Sequence, residues 1–410
     1  MRLAVIDHVG NFGGASRVVR GLLHGLRVER PDLEVTYFCN PDSLRRESMA
    51  GELRSLGVKV SVLSSVRLWA GGVAGIPGSA MALRTMQGHV FERFRFLPPY
   101  LTGSVAKELE GKLGNFDVAY FPWPYLLTCP QTRCPLVATF HDFNFKYFFG
   151  SLVHSRRQLA ELEAQMPQWL ATATPVVSTR FMAAELEKFY PQAAGRATIV
   201  HLAPPGSVGR VGAEQALRTV QALGVKPPYA LYPANVSVHK NIGTLVAAIA
   251  LLRDRGKRLS LVLTGPETDA VAGRATYIGV ERGGRDQDVT GLGYVSNDQI
   301  DALVQCATVV VSTSLYEAGN GPGVDAWARG VPVAMSNIPA FMEHIEVQGV
   351  KARVFDPRDP RDIAAKLQEI LDDPQQARED AEVSRRALQK LTWRECAAQY
   401  LRVFERAAER

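Results

Sequence analysis

No stretch of this 410-residue sequence approaches the ~20 consecutive apolar residues that a membrane-spanning helix requires. The opening Met-Arg-Leu-Ala-Val-Ile-Asp turns polar after a short apolar run and reads as a strand, not a signal peptide. Cysteine is scarce. The five residues, Cys39, Cys129, Cys134, Cys306 and Cys396, are odd in number and scattered, which suits reduced cytosolic thiols. Cys129 and Cys134 lie near each other, but no His or Cys pair at metal spacing accompanies them, which argues against structural zinc. Zinc-finger spacing and aromatic-basic ribonucleoprotein motifs are also missing, so nucleic acid is not an expected partner. There are no solenoid-length repeats and no low-complexity segments.

What is present is ordinary for a globular chain: 46% hydrophobic and 21% charged residues exclude disordered and fibrous classes. The length exceeds one hydrophobic core and predicts two domains of roughly 200 residues. A formal charge of +6 and a pI near 9.1 suit phosphorylated ligands or an anionic surface. Apolar strands alternate with amphipathic helices throughout, the pattern of a parallel α/β fold. Strands are expected at Arg2–Ile6, Glu34–Cys39, Lys59–Leu63, Asp117–Phe121, Leu136–Phe140 and Pro175–Ser178. Val18, Val19, Leu22, Leu23 and Leu26 line one face of a helix that Pro31 stops. A Pro- and Gly-bearing segment, Leu202–Pro228, reads as the boundary. A second series follows, with strands Tyr229–Pro233, Leu259–Thr264, Thr308–Ser312 and Val331–Met335. Ser296–Gln299 and Thr392–Glu395 fit capping boxes opening two helices. The expectation is two Rossmann-like domains in tandem.

Four loops carry residues suited to chemistry. His8 to Ala15, containing Gly13 and Gly14, joins the first strand to its helix, where glycine lets backbone amides approach an anion. It lacks the GxGxxG spacing of a dinucleotide fingerprint, which disfavours a nicotinamide oxidoreductase. His141 and Asp142 close a strand at its carboxyl end, where open α/β sheets bind ligands. A histidine there can donate to a sugar hydroxyl or stabilise developing charge, or simply bond Asp142. Tyr232 to Asn241 is a strand followed by a helix start, where Lys240 offers a compact positive charge to a diphosphate. The run Ser314 to Asp325 is the most informative. Glu317 and Asp325, eight positions apart, flank a Gly-rich turn directly after an apolar strand. Glu317 is expected at the strand exit and Asp325 in the first turn of the next helix. Carboxylates there can accept bonds from paired sugar hydroxyls, while intervening amides face phosphate. Asp286-Gln287-Asp288 mimics an Asp-x-Asp metal motif but sits in a charged loop, Glu281 to Asp288, and reads as solvated surface.

In order, Gly293-Tyr294-Val295-Ser296, Ser314 to Asp325, Gly330-Val331-Pro332-Val333, Ser336-Asn337-Ile338-Pro339 with Glu343, and Phe355-Asp356-Pro357 resemble glycosyltransferase family 4 (group 1). The Gly13-Gly14 loop, His141-Asp142 and the closing Thr392-Trp393-Arg394-Glu395 helix fit as well, so the resemblance spans both domains, densest over 230–395. It implies an α/β GT-B fold: two Rossmann-like domains facing across a cleft, with a C-terminal helix crossing back. Domain boundaries are expected at 1–205 plus 392–410 for the acceptor domain and 206–391 for the donor domain. The resemblance also assigns roles. Glu317 would contact the donor sugar, Asp325 the ribose hydroxyls, Lys240 the diphosphate and His141 the transferred sugar. Gly13 and Gly14 would approach the phosphates, which the intervening amides of Ala318, Gly319, Asn320 and Gly321 can already face by their own placement, and Gly293, Tyr294 and Val295 would lie where the base packs. Two positions depart from the pattern: Asp325 replaces a glutamate, and Asn235 stands where relatives carry a second basic residue.

The activity implied is retaining, metal-independent transfer of a hexose of mannose, rhamnose or glucose type. The donor would be a GDP- or UDP-sugar, with no cofactor, and the acceptor a glycan or lipid-linked glycan of cell-surface polysaccharide or lipopolysaccharide. Between Ser61 and Ala106 the only acid is Glu92, beside Arg67, Arg84, Arg93 and Arg95 with interleaved Phe and Tyr. That reads either as a peripheral contact with an anionic membrane or as a helix pair with solvated arginines. A cytoplasmic location, at most peripheral to the inner face of a membrane, follows. Rival readings are a non-catalytic GT-B sugar-binding or partner subunit and a sugar-nucleotide epimerase.

Overall fold

The computed structural model describes residues 1–8, 14–39, 47–63, 100–148, 156–204, 212–269 and 288–409. The chain divides into two compact units, Met1–Leu202 with Trp393–Arg410, and Ala203–Thr392. Unit 1 holds β1 (Arg2–Asp7), β2 (Glu34–Cys39), β3 (Lys59–Val62), β4 (Val118–Phe121), β5 (Leu136–Thr139), β6 (Thr174–Val177) and β7 (Thr198–Ile199). They form a parallel sheet in the order β3-β2-β1-β4-β5-β6-β7. The strand order reverses beside β1, so the exits of β1 and β4 flank a switch point. Leu3, Ala4, Val5 and Ile6 are fully buried, as a strand covered on both faces requires. Its helices are α1 (Gly14–Glu29), α2 (Glu47–Ser55), α3 (Tyr100–Leu113), α4 (Arg156–Thr172) and α5 (Arg180–Phe189).

Unit 2 opens with α6 (Ala213–Ala222), inside the segment read from sequence as a boundary. Ala216 and Val220 of α6 are buried in the unit's core, so this stretch belongs to the domain and is not a linker. Its parallel sheet runs β10-β9-β8-β11-β12-β13, from β8 (Tyr229–Pro233), β9 (Ser260–Thr264), β10 (Val289–Gly291), β11 (Val309–Ser312), β12 (Val333–Ser336) and β13 (Arg353–Phe355). The helices are α7 (Ile242–Asp254), α8 (Asn297–Cys306), α9 (Gly321–Ala328), α10 (Pro339–Gln348), α11 (Pro360–Asp372) and α12 (Pro374–Leu388). Ser296 and Gln299 form the expected capping box on α8, each side chain bonding the other's backbone N–H. Two apolar clusters fill the two faces of the sheet, one around Leu245, Ile249 and Leu367, the other around Leu303, Trp327 and Phe341.

The chain then returns to unit 1 as α13 (Trp393–Ala408), which lies against α1. The close approach depends on glycine. A Cβ on Gly21 would lie 2.1 Å from the Trp393 ring, and one on Gly25 2.1 Å from the Trp393 carbonyl oxygen. Tyr400 reaches into the sheet, its hydroxyl 3.0 Å from Thr139 Oγ1 and 3.4 Å from Tyr120 Oη. Ion pairs Arg394–Glu29 at 2.8 Å and Arg30–Glu405 at 3.2 Å mark the seam. Fully burying side chains such as Tyr400 and Phe404 contributes roughly 1.5–3 kcal/mol each, so this helix is integral to unit 1.

Candidate active site

Every strand of both sheets is parallel, so the loops that could hold a ligand cluster at the carboxyl ends. In unit 2, β8 runs into a 3₁₀ turn, Val238–Lys240, closed by Asn241 in the left-handed region at φ 56°. Asparagine tolerates that conformation, and here it is anchored: Nδ2 donates to Pro357 O at 2.6 Å and Oδ1 accepts from Thr244 Oγ1 at 2.7 Å. Lys240 therefore ends a turn instead of starting a helix. Its Nζ pairs with Glu317 Oε1, both side chains being about one-fifth exposed.

Glu317 stands on the loop leaving β11. Ser314 Oγ donates to Glu317 Oε1 at 2.7 Å, and the Tyr232 hydroxyl lies 2.8 Å from Ser314 Oγ and 3.0 Å from Lys240 O. Burial, with the Glu317 charge adding to it, pushes the Tyr232 hydroxyl far above its ordinary range, so it remains a donor. Thr313 Oγ1 also donates to Lys240 O at 3.1 Å, and the Leu315 amide to His239 O at 2.7 Å. The β8 and β11 exits are thus tied into one polar platform.

Asn320 caps α9. Its Oδ1 accepts from the Gly323 amide and from Ser312 Oγ, both at 2.9 Å. The Asn320 amide donates to His344 Nε2 at 2.9 Å, and Pro322 has no amide hydrogen. Of the four amides that a helix start leaves open, one is thereby absent and two are claimed. Among the described residues, the Gly321 amide has no protein partner, nor does that of Gly319. Asp325 lies in the second turn of α9, not the first, because Asn320 starts the helix at Gly321. It is buried, as is Arg329 one turn on, whose Nη1 donates to Asp325 O at 2.9 Å and whose Nη2 pairs with Asp301 at 2.5 Å.

A third set of loops is stitched backbone to backbone. The Ala234 amide donates to Thr264 O at 2.8 Å and the Gly265 amide to Gly293 O at 2.7 Å. Gly265 has φ 131°, and a Cβ there would meet Ala234 O at 2.5 Å. Gly293, buried at φ 65°, donates its amide hydrogen to Thr268 Oγ1 at 3.0 Å. Tyr294 beside it is 64% exposed, Val295 is half-buried, and Asn235 is exposed.

In unit 1, His141 follows β5. Its Nε2–H donates to Pro122 O at 2.8 Å, and Trp123 stacks on the ring with centroids 5.6 Å apart. Burial, partly offset by the Pro122 bond, lowers its pKa to about 4. At neutral pH the imidazole is uncharged, with its one hydrogen on Nε2. Among the described residues Nδ1 has no partner, so His141 is suited to accept from a hydroxyl. The expectation that it donates, or that it bonds Asp142, is corrected: the carbonyl of Pro122 takes its only proton. His8, at the β1 exit, bonds Tyr125 O through Nε2 at 3.2 Å and is lowered to about 4 by the same balance. The loop after β4 thus holds two neutral histidines.

The structure brings Lys240, Glu317, Ala318, Gly319, Asn320, Gly321 and Asp325 onto neighbouring β8, β11 and α9 elements. Gly14 is the first residue of α1. Gly13, most of the basic patch within 61–106, and Asp286-Gln287 lie outside the described residues; Asp288 leads into β10 and pairs with Arg253 at 3.1 Å. Sequence reasoning missed Gly265 and His344; it placed His8, Ser314 and Asn320 in the right loops but missed the bond from His8 to Tyr125, the support Ser314 gives Glu317, and the cap by Asn320. Only Gly265, in a strand-Gly-Pro run, carried a local signal.

A family model described as "Glycosyl transferases group 1" matches residues 214–387, nearly all of unit 2. The chain is 28% identical over 335 residues to O-antigen chain mannosyltransferase B of Escherichia coli, covering 80% of this chain and 83% of that one. It is 33% identical over 177 residues to MMP alpha-(1->4)-mannosyltransferase of Mycolicibacterium hassiacum, a match spanning 42% of this chain and 41% of that relative's length. Among solved structures, Anabaena HepE in complex with UDP and glucose superposes with TM-score 0.69 at 17% identity, covering 99% of both chains. WaaG, a glycosyltransferase involved in lipopolysaccharide biosynthesis, superposes at 0.65 with 14% identity over 98% and 99%. The GT-B fold is thereby established.

Proposed function

Taking the chain as a group 1 glycosyltransferase of the bacterial polysaccharide type, we propose that it transfers a hexose, mannose first among candidates, from a GDP- or UDP-sugar to a glycan or lipid-linked glycan with retention at the anomeric carbon. The observation that carries this is the pairing of Lys240 with Glu317 beside the unclaimed Gly319 and Gly321 amides of the α9 entrance. A cation and two N–H groups suit a diphosphate, and a carboxylate held by Ser314 suits sugar hydroxyls. Mannose is favoured by the mannosyltransferases among its relatives, and the diphosphate by HepE, which was solved with UDP and with UDP-glucose.

The bond that breaks joins the anomeric carbon to the diphosphate. Lys240 and the Gly319 and Gly321 amides stabilise the negative charge growing on the leaving oxygen. The acceptor hydroxyl attacks from the face the phosphate leaves, and the departing phosphate takes its proton, so no dedicated protein base or metal is needed. His141 is not protonated at neutral pH and serves through Nδ1 as a hydrogen-bond acceptor for a sugar hydroxyl, without supplying charge. Asp325, on the second turn of α9, holds the ribose hydroxyls, and Tyr294 lies against the base. The acceptor falls to unit 1.

The test is transfer from GDP-mannose, UDP-glucose and related donors to a mannose-bearing oligosaccharide, with and without chelator, reading the product anomer by NMR. An α-linked product from an α-linked donor, undiminished by EDTA, is expected. An inverted anomer or strict metal dependence would overturn the mechanism.

A further inference from the structure

We infer that His344, on α10, is a positioning residue for the diphosphate end of the donor; the inference rests on the donor reading given above. What His344 holds is the backbone of Asn320. Its Nε2 accepts the Asn320 amide at 2.9 Å, and its Nδ1 lies 2.8 Å from Gln348 Oε1 one turn along α10. An amide can only donate, so Nε2 carries no hydrogen and Nδ1–H donates to Gln348. That second bond fixes both tautomer and ring plane. Trp327 packs against the ring, with centroids 5.9 Å apart, and the side chain is buried.

The consequence follows from the division of amides at the α9 entrance. The Asn320 side chain already takes the Gly323 amide, and Pro322 contributes none. If the Asn320 amide were not drawn to His344, the Gly319–Gly321 turn would lose a backbone anchor from outside the β11–α9 segment, keeping only the weaker Asn320 Nδ2 contact to Met335 Sδ at 3.5 Å, and with it the fixed path past the phosphate. A Cβ at Gly319 would lie 3.6 Å from His344 Nε2, so the turn already runs in contact with the imidazole. With Nε2 in place, the Gly319 and Gly321 amides on either side are left for the ligand. Preorganised amides stabilise a developing oxyanion because they need no reorientation during reaction.

Three variants separate this role from general packing. Glutamine places Oε1 where Nε2 stands, asparagine does not reach that far, and leucine fills the space with no acceptor. Nucleoside diphosphate and nucleotide-sugar affinities are measured by calorimetry, with kcat and KM for transfer and the unfolding midpoint alongside. His344→Leu should raise the donor KM and weaken UDP or GDP binding by tenfold to about a hundredfold, the range for an orphaned buried amide. His344→Gln should recover most of that loss, and His344→Asn should behave like His344→Leu. Wild-type affinity in His344→Leu, or equal recovery by asparagine and glutamine, would overturn the positioning role while leaving the donor site standing. A wild-type protein that binds none of these nucleotides would overturn both.

Discussion

Glu317→Gln is the most discriminating single change, because the account predicts opposite effects on two ligands. In the structure Lys240 is neutralised by Glu317, so a diphosphate must draw the ammonium away from a carboxylate that already holds it. Two unit charges about 4 Å apart attract by about 4 kcal/mol at an effective dielectric of 20. Both side chains are about one-fifth exposed, so solvent screening reduces the net coupling to about 1 kcal/mol. Glutamine removes the charge and keeps an oxygen for Ser314, whose hydroxyl donates to Oε1 at 2.7 Å. Lys240 is then released to the phosphates. Bare UDP or GDP, which has no sugar to miss Glu317, should bind about fivefold tighter, as about 1 kcal/mol implies. Transfer from the nucleotide sugar should fall by at least about a hundredfold, because a charge-assisted contact to the sugar is lost. Calorimetry of the bare nucleotide and initial rates of transfer read the two effects. Weaker nucleotide binding in Glu317→Gln, comparable to that in Lys240→Ala, would refute the idea that the two groups restrain each other.

Three further changes test the framework around the site. His8 and His141 have pKa values lowered to about 4 from an ordinary 6.5, so the unfolded chain takes up their protons first as pH falls. Their contribution to stability is complete above pH 6.5 and is lost progressively toward pH 4. Urea unfolding across that window should show a shallower pH dependence in His8→Gln with His141→Gln than in wild type, and an unchanged slope would contradict the burial argument. Gly25→Ala, which in an exposed helix would stabilise, should instead lower stability by about 1–3 kcal/mol, since its Cβ would meet the Trp393 carbonyl at 2.1 Å; a raised unfolding midpoint would show that α13 yields freely. Tyr400→Phe should cost about 1 kcal/mol in chemical unfolding by breaking the bond to Thr139, and no loss would mean that hydroxyl is replaceable.

Much of the fold can be read without coordinates, for a physical reason. Strands such as β1, β8 and β11 are buried on both faces and appear as unbroken apolar runs, and α1 shows its inward stripe at helical spacing. Short strands escape: β7 has two residues, β10 and β13 three, too few to show a period. Helix α6 hides among prolines and glycines because only Ala216 and Val220 face fully inward. The site divides the same way. Glu317, Asp325 and Lys240 announce themselves by residue type beside a strand exit. Their supports do not: His344 bonds a backbone amide 24 positions away, and Ser314 is an unremarkable hydroxyl until Glu317 folds over it. The tautomer of His141 is set by a carbonyl 19 positions earlier, a relation that no local pattern contains.

The central claim is that unit 2 holds a nucleotide sugar through Lys240. Thermal unfolding of the wild type and Lys240→Ala against GDP-mannose, UDP-glucose and dTDP-sugars tests it most directly, since a ligand of the folded state at a hundredfold excess over its Kd adds about 2.7 kcal/mol. The account predicts a midpoint raised by one nucleotide class in the wild type and largely unmoved in the variant. A midpoint that no nucleotide sugar raises at millimolar concentration, or one raised equally in Lys240→Ala, would contradict it.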